Sequence, residues 1–194
     1  MRRCPVLTVA QAARIVRKGG IVAYPTETFY GLAARADNPD AVGRVFEIKG
    51  REKGKPVSIL IDSQRELKRW VRGIGPREKK LISRFWPGPL TLVFKARKGV
   101  NQFLTGGSGK IGVRISSNPV ARRLTRLSGG AITATSANRS GQKPATSGLS
   151  ARRKLGKKID GVVSGGRLKR SKGSTILDVS GKKLKVIREG EIVL

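Results

Sequence analysis

The chain has 194 residues, of which 38% are apolar, and its 42 lysine and arginine residues against 12 aspartate and glutamate residues give a formal net charge of +30. This length suffices for a substantial hydrophobic core, and we expect residues 1–194 to form a single domain. With no histidine and one cysteine, the composition excludes a Ser-His-Asp triad, a Cys-His pair, a histidine-ligated metal and an internal disulfide.

The excess of positive charge predicts an affinity for polyanions that falls as the salt concentration rises. Because aromatic residues make up only 5% of the chain, stacking of single-stranded bases is disfavoured, and backbone contacts to structured RNA are the more natural mode. A solvated basic surface without a partner is the alternative. No stretch approaches the roughly 18 apolar residues of a membrane span. A single cysteine fits a reducing compartment, so we expect a cytoplasmic protein that does not contact a membrane.

Hydrophobic periodicity and end signals predict the regular elements in chain order. Helices are predicted over residues 9–18, 39–49, 64–71, 76–85 and 119–127. Strands are predicted over residues 21–24, 57–61, 90–94, 111–115, 131–135, 161–163, 175–179, 184–187 and 192–194. Helices and strands mix without a strict βαβ rhythm. This predicts an α/β domain with a twisted, mixed parallel and antiparallel sheet and flanking helices.

One polar segment, Tyr24-Pro25-Thr26-Glu27-Thr28, follows the first predicted buried strand, which Pro25 should end. Ligands of α/β sheets lie outside the carboxyl ends of strands, so its hydroxyls and carboxylate are candidate site groups. An ordinary proline turn that caps the next element is the alternative.

Two further segments supply cations, a hydroxyl and an amide. Lys49 and Arg51 flank Gly50 at the end of the second predicted helix, and Ser136 and Asn138 follow the strand at residues 131–135. A lysine acts as a point charge, whereas an arginine can fork onto phosphate oxygens, so this set suits a polyphosphate. A helix C-terminal cation and a simple Asx turn are the alternatives.

The three segments, together with the turn Trp86-Pro87-Gly88-Pro89, resemble the YrdC family, and the similarity covers essentially the whole chain. The resemblance implies a YrdC-like α/β fold with a concave basic pocket, of the short, single-domain bacterial type. It also implies a nucleotidyltransferase that joins L-threonine, bicarbonate or CO2, and ATP into threonylcarbamoyl-AMP and releases pyrophosphate. The product would serve the formation of N6-threonylcarbamoyladenosine (t6A) at position 37 of tRNA.

The resemblance also assigns residues to the site. The implied catalytic residues form the signature K-x-R…S-x-N: Lys49, Arg51, Ser136 and Asn138. ATP is implied to contact these four residues and Arg188, and Mg²⁺ would accompany the nucleotide without a metal site on the protein. L-Threonine is implied to contact Thr26, Arg114 and Ser174. Glu27 is the nearest candidate for proton transfer.

The implied partners are tRNA or another double-stranded RNA and a downstream t6A transferase complex. A competing hypothesis is a structured-RNA-binding or ribosome-maturation factor without ATP turnover, and a third is carbamoyl transfer to a different acceptor. The sequence departs from the family pattern at Glu52 and Lys53, where many members carry proline and an apolar residue. It also lacks the histidine that follows the next strand in archaeal and yeast-type members.

Overall fold

The computed structural model describes residues 4–52 and 54–194, in which seven helices and eleven strands follow one another. The helices are α1 Val9–Arg17, α2 Pro39–Lys49, α3 Gln64–Leu67, α4 Pro76–Phe85, α5 Gln102–Thr105, α6 Pro119–Leu127 and α7 Gly148–Leu155. The strands are β1 Val6–Leu7, β2 Val22–Pro25, β3 Tyr30–Ala33, β4 Ile59–Leu60, β5 Leu90–Lys95, β6 Lys110–Arg114, β7 Ile132–Thr133, β8 Thr135–Ser136, β9 Gly161–Val163, β10 Thr175–Asp178 and β11 Lys185–Arg188.

The strands form two sheets, one with five strands in the order β1-β9-β2-β3-β8 and one with six in the order β11-β10-β5-β6-β4-β7. Pairing is mixed in both, since β2 runs antiparallel to β3 and parallel to β9, and β5 runs antiparallel to β6 and parallel to β10. The predicted α/β class with mixed pairing is therefore confirmed. The strands are divided between two sheets, however, where the sequence led us to expect one.

The division arises in the segment predicted as one strand over residues 131–135. The chain leaves β7 at Ala134, whose amide N–H donates to the Ser58 carbonyl at 2.7 Å. Before this point β7 pairs with β4 in the six-stranded sheet, and after it β8 pairs with β3 in the five-stranded sheet. A single extended segment thus joins the two sheets and ends at the Ser136 position.

Helix α2 shows how the sequence places a cation in the interior. The Asn38 side chain caps the helix by accepting a hydrogen bond from the Ala41 amide at 3.0 Å, and Pro39 occupies the first turn. Gly50 ends the helix with φ +56°, a left-handed conformation that glycine adopts without strain. The buried face of α2 lies against the five-stranded sheet, so its last residue, Lys49, is only 2% exposed.

Buried apolar residues fill the space around both sheets. The largest cluster covers the six-stranded sheet and includes Leu90, Leu92 and Val113. A second cluster packs α1 and α6 on the five-stranded sheet and also contains Leu60 of β4, so apolar contacts cross from one sheet to the other. Each fully buried Leu or Val contributes about 1.5–3 kcal/mol, and the pocket between the sheets therefore has firmly packed walls.

Several predicted boundaries are wrong. The helix predicted over residues 64–71 ends at Leu67. The residues after Leu67 form a turn, and Val71 then pairs with Ala96, the residue after β5, in an isolated antiparallel bridge. Residues 192–194 form no strand, since the Ile192 amide bonds the Thr175 hydroxyl instead. Pro25 is the last residue of β2 and pairs with Tyr30. Strands β1 and β3 and helices α5 and α7 were not predicted.

Within residues 4–52 and 54–194, no helix is both long and apolar enough to span a membrane.

Candidate active site

A cavity of about 450 Å³ is lined by residues of both sheets and of the segment after α2. All eight residues that the sequence assigned to the site line this cavity: Thr26, Lys49, Arg51, Arg114, Ser136, Asn138, Ser174 and Arg188. They come from the ends of β2, α2, β6, β8 and β11 and from the residue before β10. The fold therefore brings into one place side chains that are up to 162 residues apart in the chain, the separation of Thr26 and Arg188.

Lys49 connects the two halves of the K-x-R…S-x-N pattern directly. Its ammonium Nζ donates to the carbonyl oxygens of Ser136 at 2.6 Å and Asn138 at 2.8 Å. Burial, with a smaller contribution from the nearby Arg51 charge, lowers the pKa of Lys49 to about 8. An ammonium has three donors, so Lys49 spends two on the protein backbone and has one left for a ligand.

Arg51 is held in a similar way by the loop that follows it. Its Nε donates to the Lys55 carbonyl at 2.9 Å and its Nη2 to the Pro56 carbonyl at 2.8 Å. Burial lowers the pKa of Arg51. The guanidinium has five N–H donors, so three remain for phosphate oxygens. Of the two residues that depart from the family pattern, Glu52 forms an exposed ion pair with Lys55, and Lys53 lies outside the described residues.

Asn138 presents an unpaired acceptor at the same wall. Its side-chain amide nitrogen donates to the Arg139 and Gln142 carbonyls at 2.8 and 2.7 Å. Its Oδ1 is buried and has no hydrogen-bond partner in the described part of the chain. A buried unpaired polar atom costs about 1–3 kcal/mol, so a ligand that donates a hydrogen bond to Oδ1 would be favoured. Ser136 stands beside it, half-buried.

Arg114 is fixed by an acidic residue that does not itself line the cavity. Its Nη1 donates to Glu27 Oε1 at 2.8 Å, and the Ser116 hydroxyl donates to the other carboxylate oxygen. The side chains of Arg114 and Glu27 are 7% and 14% exposed. Each Glu27 oxygen thus accepts one hydrogen bond, and the carboxylate orients Arg114; its suggested part in proton transfer stays a prediction.

Ser174 and Arg188 form a second fixed unit opposite Arg114. Arg188 Nη2 donates to the Ser174 carbonyl at 2.6 Å and to its hydroxyl at 2.9 Å, and the Thr91 hydroxyl also donates to Ser174 Oγ at 3.0 Å. Burial lowers the pKa of Arg188, and the positive charge of the nearby Arg114 lowers it further. An anionic ligand would relieve their repulsion.

The cavity as a whole is strongly electropositive. Five cationic side chains line it: Lys49, Arg51, Lys55, Arg114 and Arg188. Glu52 is the one carboxylate among the described lining residues, and it is paired with Lys55. Such a concave surface focuses a positive potential and attracts anionic ligands.

Comparison with known proteins shows the family to which this chain belongs. The family model for Sua5, YciO and YrdC proteins, described as telomere recombination, matches residues 14–190. The chain belongs to the Sua5/YciO/YrdC family. It is similar to a threonylcarbamoyl-AMP synthase of Halorhodospira halophila, with 38% identity over 169 residues that cover 85% of this chain and 88% of that protein.

Solved structures of the Sua5/YciO/YrdC family have the same fold. The Pyrococcus abyssi Sua5 protein complexed with L-threonine aligns with a TM-score of 0.90 at 37% identity and covers 94% of this chain. The match covers 54% of the Pyrococcus protein, so this chain spans about half of its length. Escherichia coli YciO aligns with a TM-score of 0.85 at 27% identity, covering 96% of this chain and 93% of that one.

Thr28, whose segment was a candidate but which was assigned no role of its own, also lines this pocket. The Thr26 hydroxyl donates to the Phe29 carbonyl at 2.7 Å and accepts from the Thr28 and Phe29 amides at 3.2 Å, so its own turn occupies it. Thr28 Oγ1 lies 3.1 Å from Thr26 Oγ1 and keeps capacity for a ligand. The feature of the sequence that could have indicated Thr28 is its position as the second threonine of the polar segment Pro25-Thr26-Glu27-Thr28.

Proposed function

We propose that this chain is a threonylcarbamoyl-AMP synthase that uses L-threonine, bicarbonate or CO2, and ATP and releases pyrophosphate. The supporting observation is that the eight assigned side chains line one electropositive cavity in a chain of the Sua5/YciO/YrdC family. The relatives named threonylcarbamoyl-AMP synthase, and the family structure complexed with L-threonine, point to the same activity.

The reaction forms an N–C bond and an O–Pα bond, breaks the Pα–O bond to pyrophosphate, and releases the proton of the amine to solvent. The threonine amine adds to CO2 to give a carbamate, and a carbamate oxygen then attacks the α-phosphorus of ATP while the bond to pyrophosphate breaks. No protein nucleophile takes part. Catalysis therefore consists of positioning the two substrates and stabilising the negative charge that develops on the phosphates.

ATP would occupy the side of the cavity formed by Lys49, Arg51, Ser136, Asn138 and Arg188. Arg51 would contact phosphate oxygens with its remaining donors, and Lys49 would add one donor and its charge. The described residues contain no group of three or more histidine, cysteine, aspartate or glutamate side chains that could hold a metal ion. We propose that Mg²⁺ would accompany the phosphates of ATP, where it would neutralise part of their charge.

L-Threonine would occupy the adjoining part of the cavity, next to Arg114, which Glu27 orients. Arg114 would bind the threonine carboxylate, and Ser174 and the Thr26 turn would shape the site around the amino acid. The Thr28 hydroxyl donates to Thr26 Oγ1, whose own proton goes to the Phe29 carbonyl, and can still accept a hydrogen bond from a ligand. With threonine bound to Arg114 and ATP bound to Arg51, the threonine amine and the α-phosphorus of ATP would lie in the same cavity. The reaction between the two substrates would then be effectively unimolecular.

The product would then be consumed by a t6A transferase complex acting on position 37 of tRNA. We place the reaction in the cytoplasm and assign it to one domain formed by residues 1–194. Catalysis itself requires no contact with RNA. The competing hypothesis of an RNA-binding factor without ATP turnover is not favoured, because the relatives of this chain are named as synthases.

The decisive experiment is pyrophosphate release from ATP and bicarbonate, with L-threonine, L-serine or no amino acid, after bound nucleic acid has been removed in high salt. We expect release to depend on threonine. Arg51→Ala should lower kcat/KM about 100-fold or more, as loss of a charge-stabilising donor does, while Lys157→Ala on the exposed surface should leave it unchanged. Folded wild-type protein that releases no pyrophosphate, or releases it equally without threonine, would refute the proposal.

A further inference from the structure

Arg139 lies beside the glycine that separates the two cations of the K-x-R motif. A Cβ atom added to Gly50 would be 4.0 Å from Arg139 Nη2. Gly50 lines the active-site cavity, and so do both chain neighbours of Arg139, which are Asn138 and Ser140. Arg139 itself is exposed. Its guanidinium therefore stands at the rim of the cavity, at the end where the phosphate-binding cations lie.

The backbone around Arg139 is tied to the end of α2. The Lys49 ammonium donates to the Asn138 carbonyl at 2.8 Å, and the Ser140 amide donates to the Lys49 carbonyl at 2.8 Å. The Arg139 carbonyl accepts hydrogen bonds from the Asn138 side-chain amide at 2.8 Å and from the Gln142 amide at 3.0 Å. The contacts that build the phosphate end thus also fix the position of the Arg139 backbone, and the side chain is left to adjust to a ligand.

The positive charge of Arg139 is uncompensated. Within residues 4–52 and 54–194, no carboxylate lies within 4.0 Å of its guanidinium. Glu52, which lines the same end of the cavity, is paired with Lys55 at 3.0 Å. Arg51 already spends two N–H donors on backbone carbonyls, whereas the hydrogen bonds of Arg139 in this part of the chain use its carbonyl oxygen. The guanidinium of Arg139 can therefore bind two oxygens of one phosphate group.

Depth in the cavity distinguishes the phosphates that each cation can reach. Lys49 and Arg114 are 2% and 6% exposed, whereas Arg139 is exposed at the rim. The α-phosphorus has to meet the carbamate of threonine, so it would lie at the depth of Lys49 and Arg114. The β- and γ-phosphates would then extend toward the rim. These two groups carry most of the charge of ATP, and they leave together as pyrophosphate.

We propose that Arg139 is a further substrate-binding residue, which binds the terminal phosphates of ATP and then the pyrophosphate that leaves. When the Pα–O bond breaks, its electron pair goes to the bridging oxygen, and negative charge builds up on the leaving group. Lys49, Arg51 and Arg139 together place three positive charges at that end of the cavity, which stabilises this charge. The identity of the nucleotide rests on the proposed function, whereas the uncompensated guanidinium beside Gly50 does not depend on it.

The test measures binding separately from turnover. Calorimetry follows the binding of inorganic pyrophosphate and of AMP to the wild type, to Arg139→Gln and to a control, Arg123→Gln, after bound nucleic acid has been removed in high salt. Arg123 is exposed on α6 and is not among the described residues that line the cavity, so the control loses the same charge elsewhere. Arg139→Lys keeps the charge without the planar fork. The KM values for ATP and threonine are measured by pyrophosphate release.

We expect Arg139→Gln to bind pyrophosphate at least about tenfold more weakly, and its KM for ATP to rise by a similar factor, because a hydrogen-bonded contact between charged groups is lost. The affinity for AMP, the KM for threonine and Tm should stay near the wild-type values, since AMP lacks the terminal phosphates and Arg139 is exposed. Arg139→Lys should recover part of the affinity, and Arg123→Gln should behave as the wild type.

Three results would overturn the role of Arg139: a wild type that does not bind pyrophosphate, an unchanged affinity in Arg139→Gln, or an equal loss in Arg123→Gln, which would report net charge alone. Equal losses for pyrophosphate and AMP would overturn the assignment to the terminal phosphates. Pyrophosphate binding that depends on Arg139, in a wild type that releases no pyrophosphate from ATP, would refute the synthase and leave the phosphate contact standing.

Discussion

Replacing Glu27 tests how the pocket holds Arg114. Glu27→Ala leaves a guanidinium that is 7% exposed without its carboxylate partner, and the charge of Arg188 already acts on the same region. Removing one partner of a buried ion pair costs about 3–5 kcal/mol, because the remaining charge is uncompensated. For a chain of this size about 1 kcal/mol corresponds to 2–4 °C in Tm, so we expect Tm to fall by about 6–20 °C.

A surface ion pair provides the matched control. Asp37 pairs with Arg35, and the two side chains are 43% and 20% exposed. Asp37→Ala should cost no more than about 1 kcal/mol, since solvent screens the exposed pair. Thermal unfolding of both variants measures the difference. A Glu27→Ala protein as stable as Asp37→Ala would refute the view that Glu27 compensates a buried charge.

Glu27→Gln separates positioning from proton transfer. Glutamine keeps an oxygen for Arg114 Nη1 and an amide for the Ser116 hydroxyl, so the fold should survive with a cost of about 1–3 kcal/mol. If Glu27 orients Arg114, the KM for threonine should rise while kcat stays within a few-fold. A general base would instead lose about 10²- to 10⁴-fold in kcat, with little change in KM. Steady-state kinetics with varied threonine distinguishes the two, and the second pattern would refute the positioning role.

Three further predictions concern other pocket residues. The pKa of Lys49 is lowered to about 8, and the phosphates of bound ATP should raise it again, so ATP binding at about pH 8.5 should take up protons. Calorimetry in two buffers of different ionisation enthalpy measures the number of protons taken up. Proton release on binding would contradict the prediction. Thr26→Val removes the hydroxyl that bonds its own turn and should lower the stability by about 1–3 kcal/mol. Thr28→Val loses a single hydrogen bond, so it should lower Tm less and raise the KM for threonine. Asn138→Asp removes two donors to backbone carbonyls and should lower Tm and ATP affinity together; unchanged Tm would show that these bonds contribute little.

The helices that flank the pocket could be predicted because their signals are local. Thr8 forms a capping box with Gln11, and Asn38 and Gly50 begin and end α2 as the sequence indicated. A cap or a left-handed glycine depends on a few neighbouring residues, which a sequence displays in full. The position of Lys49 at the end of a helix follows from the same signals.

The division into two sheets could not be predicted in this way. The segment of residues 131–135 is small, β-branched and extended throughout, but its two halves pair with β4 and β3, which are distant in sequence. Strand β3 was missed because Gly31 weakens its pattern; in the fold this glycine leaves room for the Tyr24 ring, which an added Cβ would approach to 3.0 Å. Partner choice between strands depends on long-range packing rather than on local propensity.

The sequence by itself placed Thr26, the Lys49–Arg51 pair and the Ser136–Asn138 pair at the ends of regular elements. Its resemblance to a known family implied the roles of Arg114, Ser174 and Arg188. Only the tertiary structure decided how each residue is used: Lys49 holds the Ser136 and Asn138 carbonyls, and Glu27 holds Arg114. Hydrogen bonds and uncompensated charges depend on distances between residues far apart in the chain, and those distances exist only once the chain has folded.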